Sequence, residues 1–198
     1  KNLSDDFFDG NQSASVRIAI KNDDKNIISD YIPMIAERLP VTESNEIWYT
    51  ATEKVTPYAS DVFGANIVSN VWDESTDKGI ISFDGDVTSI GEFAFCGCSS
   101  LTSISIHMSV TCIGECAFDG CTSLINITST PKFTNRFNKS QITKFVILPS
   151  TSEIEKEAFK GCTSLTNISI PPSVTKIGSE AFKDCSSLVS INLPPSLE

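Results

Sequence analysis

One histidine, His107, stands in a chain of 198 residues. Any histidine-based relay would have to be built on it, and no third orienting group or oxyanion-hole motif accompanies His107 and the nearby Cys112. Positive charge is scarce as well. Fifteen Lys and Arg stand against 25 Asp and Glu, a net charge of −10. That balance excludes the basic face nucleic-acid binding needs. No apolar run approaches the roughly 20 residues of a membrane-spanning helix. The loops G-x-x-x-x-G-K-[ST] and G-x-G-x-x-G and the nucleophile turn G-x-S-x-G are missing. Cys96-x-Cys98 and Cys112-x3-Cys116-x4-Cys121 lack the C-x2-C pairs of zinc sites, so no metal or cofactor is expected. Lys1 opens the chain with neither a methionine nor an apolar leader, as in a mature or trimmed form.

The acidity is uneven. Residues 1–86 carry 7 Lys/Arg and 16 Asp/Glu, whereas residues 87–198 carry 8 and 9. The front segment is therefore a solvated, acidic surface. The rest is periodic. Segments of 23 residues begin at Val87, Val110, Thr151 and Val174, and the first and last read VTSIGEFAFCGCSSLTSISIHMS and VTKIGSEAFKDCSSLVSINLPPS. Their phenylalanines, Phe95, Phe118, Phe159 and Phe182, are 23, 41 and 23 residues apart. The long gap is 23 plus 18, so a shortened coil lies between the second and third regular ones and keeps a strand half, ITKFVILPS. A fixed period of this length marks a solenoid.

Each period has two halves. Ile90, Ala94 and Cys98 recur at i, i+4, i+8, with Phe95 beside them, which predicts one face of a short helix. Leu101, Ile104 and Ile106 predict a strand with alternate residues inward. Gly91, Gly114 and Gly178 predict a tight bend after the first isoleucine, although Glu155 occupies that place in the third regular coil. The expected fold is an α/β solenoid of about five coils over residues 87–198, degenerate at about 131–150, with a parallel sheet on one side and short helices on the other.

The phrases IGEFAFCGCSSLTSISI and IGSEAFKDCSSLVSINLPPS resemble the BspA-type leucine-rich repeats of Bacteroides-type and Treponema pallidum-type surface proteins. The resemblance implies a secreted or outer-surface-anchored protein, often a lipoprotein. It also implies adhesion to host matrix proteins or to proteins of other bacteria.

Residues 46–86 read as a β-rich N-terminal cap. Glu46–Thr50 predicts a strand, and 67–72 with 79–83 a hairpin; together they would cover the first coil's open sheet edge. Residues 1–45 predict a strand at Ser15–Ile20 and a helix at Asn26–Leu39, of uncertain role. After Pro195 a new coil starts at Leu197 with no polar cap, so a monomer or a weak dimer through that coil is expected.

The candidate interaction residues lie on the strands. With Leu101, Ile104 and Ile106 inward, the outward pairs on the concave sheet are Ser103/Ser105, Asn126/Thr128, Lys144/Val146, Asn167/Ser169 and Ser190/Asn192. They offer hydroxyls and amides with little charge, which serve either contact or solubility. The irregular coil gathers Lys132, Arg136, Lys139 and Lys144 with Phe133, Phe137 and Phe145, either to dock an acidic partner or as a decayed coil whose aromatics refill the core. Cys98, Cys121, Cys162 and Cys185 hold one place in four coils, as a ladder of small apolar thiols. Cys96, Cys112 and Cys116 leave a disulfide open if the protein is exported. Glu153, Glu155 and Glu157 predict a solvated charged face. The function expected is non-catalytic adhesion or protein interaction, with host matrix or bacterial surface proteins as partners. The alternative is carbohydrate capture by a gut bacterium, which would need Trp48, Trp72 or Tyr58 exposed together as a stacking platform.

Overall fold

A computed structural model describes residues 43–58 and 60–197. The strand and helix expected before residue 40 lie outside the described residues. In the N-terminal part, β1 (Glu46–Ala51) pairs antiparallel with β3 (Lys78–Phe83), and β3 pairs antiparallel with β2 (Ile67–Asp73). The β2–β3 connection is tied by Asp73, whose carboxylate accepts from the Ser75 main-chain N–H at 2.9 Å and the Ser75 hydroxyl at 2.7 Å. Those bonds hold the Asp73 carboxyl below the usual carboxylate range.

The first regular coil opens with β4 (Ser89–Ile90) and continues to β5 (Leu101–Ser105). The second has β6 (Cys112–Ile113) and β7 (Asn126–Ser129), and the shortened coil has β8 (Lys144–Ile147). β9 (Glu153–Ile154) and β10 (Asn167–Ser169) belong to the next coil and β11 (Lys176–Ile177) to the last. One seven-stranded sheet runs in the order β10-β8-β7-β5-β1-β3-β2. Its coil strands are parallel and β1 joins β5 antiparallel. The last coil adds a bridge, Ser169 to Asn192, rather than a strand.

The coil core follows the sequence period. Leu101, Ile104 and Ile106 are buried, as are Ile127, Phe145, Leu165 and Ile168. One coil holds too few of these side chains to exclude water by itself, so the apolar surface is covered only when coils stack. Aromatic rings mark the stack. Phe63 contacts Phe83 and Phe95, Phe95 stacks on Phe118, and Phe159 stacks on Phe182.

The short helices expected opposite the sheet do not form. Among the described residues the helical element is a 3-10 helix, Pro131–Arg136, inside the irregular coil. Elsewhere the i, i+4, i+8 residues sit on turns: Ile113, Ala117 and Cys121 are buried, and so are Ile154, Ala158 and Cys162. The reason lies in the backbone. Each regular coil carries two left-handed residues four apart, Phe93 and Gly97 in the first and Cys116 and Gly120 in the second. A right-handed helix cannot pass through them. Main-chain N–H groups then bond the next coil: Phe95 donates to Ala117 at 2.8 Å and Gly97 to Asp119 at 2.7 Å.

Gly114 and Gly178 have a different reason from the bend proposed for them. A Cβ at Gly114 would lie 2.4 Å from the Glu92 nitrogen, and one at Gly178 2.4 Å from the Lys156 nitrogen. The preceding regular coil passes too close for a side chain. Before Glu155 comes the shortened coil, and Glu155 lines a cleft of about 270 Å³ beside it. That space is why glycine is dispensable there.

Candidate functional site

Strand register carries side chains across the sheet in rows. Residues opposite one another in a ladder share a face. One row runs Val71, Ile80, Trp48, Ser105, Thr128, Val146, Ser169, Asn192. A second runs Asp73, Lys78, Thr50, Ser103, Asn126, Lys144, Asn167. The row between them, Tyr49, Ile104, Ile127, Phe145 and Ile168, is buried in the core. The outward pairs read from the sequence thus fall into two continuous rows on the face away from the core, and Ser190, outside any strand pairing, is exposed as well. Ser105 departs from the expected exposure. It is buried, with the Trp48 side chain beside it in register.

At the β2 end the first row is apolar and the second carries the charges of Asp73 and Lys78, whereas along the coils both rows are mostly polar. Val71 is 65% exposed, while Ile80, Trp48 and Val146 are half-buried. Hydroxyls knit the junction of the two parts: Thr50 Oγ1 lies 2.7 Å from Thr102 Oγ1 and 2.6 Å from Ser103 Oγ. Trp48 Nε1 donates to Glu46 at 2.7 Å, which fixes the indole on this face. The contribution of β1, β2 and β3 to the rows was missed from sequence. The alternation in Glu46–Ala51 was the available signal, but its antiparallel pairing with β5 was not legible.

The aromatic platform that would mark sugar stacking does not assemble. Trp48 pairs with Ile80 and lies on the outer row, whereas Trp72 pairs with Gly79, in register with buried Tyr49, and packs against the core. Tyr58 is exposed on a loop whose main chain bonds Ala94.

In the irregular coil, Phe133, Phe137 and Phe145 are buried, and Phe137 sets its ring 4.8 Å from that of Phe118. Its cations are dispersed among separate contacts. Lys132 Nζ lies 4.7 Å from the Phe133 ring centroid, Lys139 Nζ donates to the Lys160 carbonyl at 3.2 Å, and Arg136 lines a separate cleft. Lys144 is exposed on the outer face of β8.

A family model described as the BspA type leucine rich repeat region matches residues 65–140 and 133–198, in six copies. The chain belongs to this family. Three solved structures of leucine-rich repeat proteins are similar to it. The T. pallidum protein TpLRR is 36% identical over 57% of this chain and 56% of its own, with a TM-score of 0.41. A Bacteroides ovatus protein is 26% identical over 57% and 42%, with a TM-score of 0.42. A leucine rich cell surface protein of Faecalibacterium prausnitzii is 33% identical over 55% and 30%, with a TM-score of 0.40. The chain thus spans about half or less of the length of these proteins. No curated protein matches it closely enough to count as a relative.

Within the BspA-type coils the reactive side chains have structural partners. His107 Nδ1 accepts from the Ser109 main-chain N–H at 3.1 Å, and the Ser109 hydroxyl donates to the Val87 carbonyl at 2.8 Å, tying the turn to the coil before it. Glu153 pairs with Lys176 at 2.8 Å, and Glu157 with Lys160 at 3.4 Å, both on the exposed surface. The seven cysteines are free thiols. Cys121 and Cys185 each donate a thiol to the phenylalanine carbonyl of the coil before, Phe95 and Phe159, at 3.1 Å. Burial pushes the Cys121 and Cys162 thiols up to about 12. Cys112 and Cys116 are exposed. Among the described residues no helix is long and apolar enough to cross a membrane, and no group of His, Cys, Asp and Glu is placed to hold a metal.

Proposed function

We propose that this chain is a non-catalytic protein-interaction module of a surface-displayed or secreted adhesin, and that it binds its partner through the outer face of the seven-stranded sheet. Membership of a repeat family built for protein contact supports the first part. The observation that carries the second is the pair of unbroken rows from Val71 to Asn192 and from Asp73 to Asn167. They form a rigid, mostly uncharged strip with an apolar patch of Val71, Ile80 and Trp48 at one end. Apolar side chains adjoining hydroxyls and amides are in keeping with the composition of a protein interface. Placement on a pre-formed sheet avoids the ordering cost of a flexible loop. Host matrix proteins and the surface proteins of other bacteria are the partners this reading favours. Glycan capture has less support, because Trp48 and Trp72 occupy opposite faces.

Paired arrays of extracellular-matrix proteins and of glycans test the assignment. Saturable binding to a matrix protein with no glycan signal is the expected result. Saturable glycan binding that survives Trp48→Ala would overturn it.

A further inference from the structure

On the turn side, regular coils are joined by a main-chain ladder. Phe93, Phe95 and Gly97 donate to the carbonyls of Glu115, Ala117 and Asp119. Glu157, Phe159 and Gly161 donate to Ser179, Ala181 and Lys183 in the same register. Between regular coils, among the described residues, the ladder is interrupted after the second. The equivalent donors of the second coil are the N–H groups of Cys116, Phe118 and Gly120, and these have no hydrogen-bond partner among the described residues. The next coil is five residues too short to supply a matching turn and passes instead as the 3-10 helix Pro131–Arg136. Phe137 still continues the aromatic stack, so the core closes while the main chains part. Between them lies a cleft of about 410 Å³.

The far side of the helix has the complementary defect. The carbonyls of Lys156, Ala158 and Lys160 hold the acceptor places and meet no main-chain donor from the shortened coil. The Lys139 ammonium substitutes at Lys160. On the donor side no side chain among the described residues substitutes. A row of unpaired main-chain donors is a template for another chain's carbonyls. Elsewhere among the described residues such a row is filled by a turn with two left-handed residues four apart, Cys116 and Gly120 in one case and Glu180 and Asp184 in the other. The cleft's charged lining is Glu115 and Asp119 against Arg136, so it favours a ligand carrying positive charge over an anion.

We infer that this cleft binds a short basic turn segment of a protein partner. Its alternate main-chain carbonyls take the N–H groups of Cys116, Phe118 and Gly120, and its lysines lie beside Glu115 and Asp119. The ligand gives only carbonyls to the row, so binding is indifferent to most of its side chains and sensitive to its charge. The site deepens the protein-interaction reading, but it uses the turns and not the sheet rows, so each can fail without the other.

The test is an amide-resolved NMR titration of the full chain with the capped peptide IKKEAFKG, which copies the turn of the third regular coil with an added lysine. The expected result is a downfield shift of the Cys116, Phe118 and Gly120 amides and hydrogen exchange slowed by at least about tenfold at those three. A peptide with glutamate at every lysine position should not bind. Asn135→Trp, which fills the cleft, should abolish the shifts at an unchanged melting temperature. The inference is overturned if the lysine peptide leaves the three amides unmoved, if it perturbs only the sheet rows, or if inorganic phosphate or the glutamate peptide moves the same three amides equally.

Discussion

Phe137 lies 4.8 Å from Phe118 with its ring tilted by 35°, where Phe95 stacks on Phe118 at 5.4 Å and only 8°. A residue from a coil five residues short thus continues the aromatic stack at a different angle. Phe145 of the same coil opens a second stack, with its ring 4.9 Å from that of Phe159.

Truncation inside the coil core should be costly. Phe118→Ala and Ile104→Ala remove side chains that are almost fully buried and should each lose about 2–5 kcal/mol of unfolding free energy in urea. Ser103→Ala, on the outer row, should change it by less than about 0.5 kcal/mol. Equal losses at Ile104 and Ser103 would contradict the assignment of faces.

The glycines make a sharper comparison. Gly114→Ala and Gly178→Ala push a Cβ against the main chain of the preceding coil and should cost about 1–3 kcal/mol by overpacking. Glu155→Gly, at the equivalent place, should cost less than about 1 kcal/mol, the helix-scale penalty for glycine being an upper guide. Thermal melts of the three variants decide whether coil proximity or a bend is the reason for glycine.

Thiol labelling should divide the cysteines. At pH 8 a thiol reagent should modify Cys112 and Cys116 in the folded protein and spare Cys121 and Cys162 until unfolding. The raised values also set a pH dependence. A thiol near 12 in the fold and 9.0 when unfolded contributes stability that is complete below pH 9 and lost as pH rises toward 12. Denaturant midpoints should therefore fall between pH 9 and 12, and less steeply in Cys121→Ala.

Lys139 should matter for stability more than for partner binding. Lys139→Met keeps the stem but removes the ammonium from the Lys160 carbonyl, and should cost about 1 kcal/mol. A stability identical to wild type would show that the carbonyl is as well served by water.

The repeat itself was legible because stacking imposes one residue pattern at one period. Leu101, Ile104 and Ile106 could be placed inward from their spacing, and the rows Ser103–Asn167 and Ser105–Asn192 follow from it. The helical expectation failed for a physical reason. Ile90, Ala94 and Cys98 have helical spacing, but left-handed Phe93 gives no sequence signal of its own, and the bonds that replace a helix come from the next coil. The strands β1, β2 and β3 were visible in 46–50 and 67–83, whereas the insertion of β1 between β3 and β5 depends on long-range pairing that no local pattern encodes. The cleft was invisible for a related reason: the missing five residues were plain, but the donors they strand belong to the preceding coil.

The most direct test of the interaction surface is a matched pair of double variants carried through the matrix-protein binding array. Thr128→Glu with Ser169→Glu places two charges on the outer row, and Ser99→Glu with Ser187→Glu places the same charges on exposed turns. Both should melt like wild type. The account predicts that the sheet pair loses at least about tenfold in affinity, or roughly 1.4 kcal/mol, while the turn pair binds unchanged. Undiminished binding by the sheet pair would contradict it.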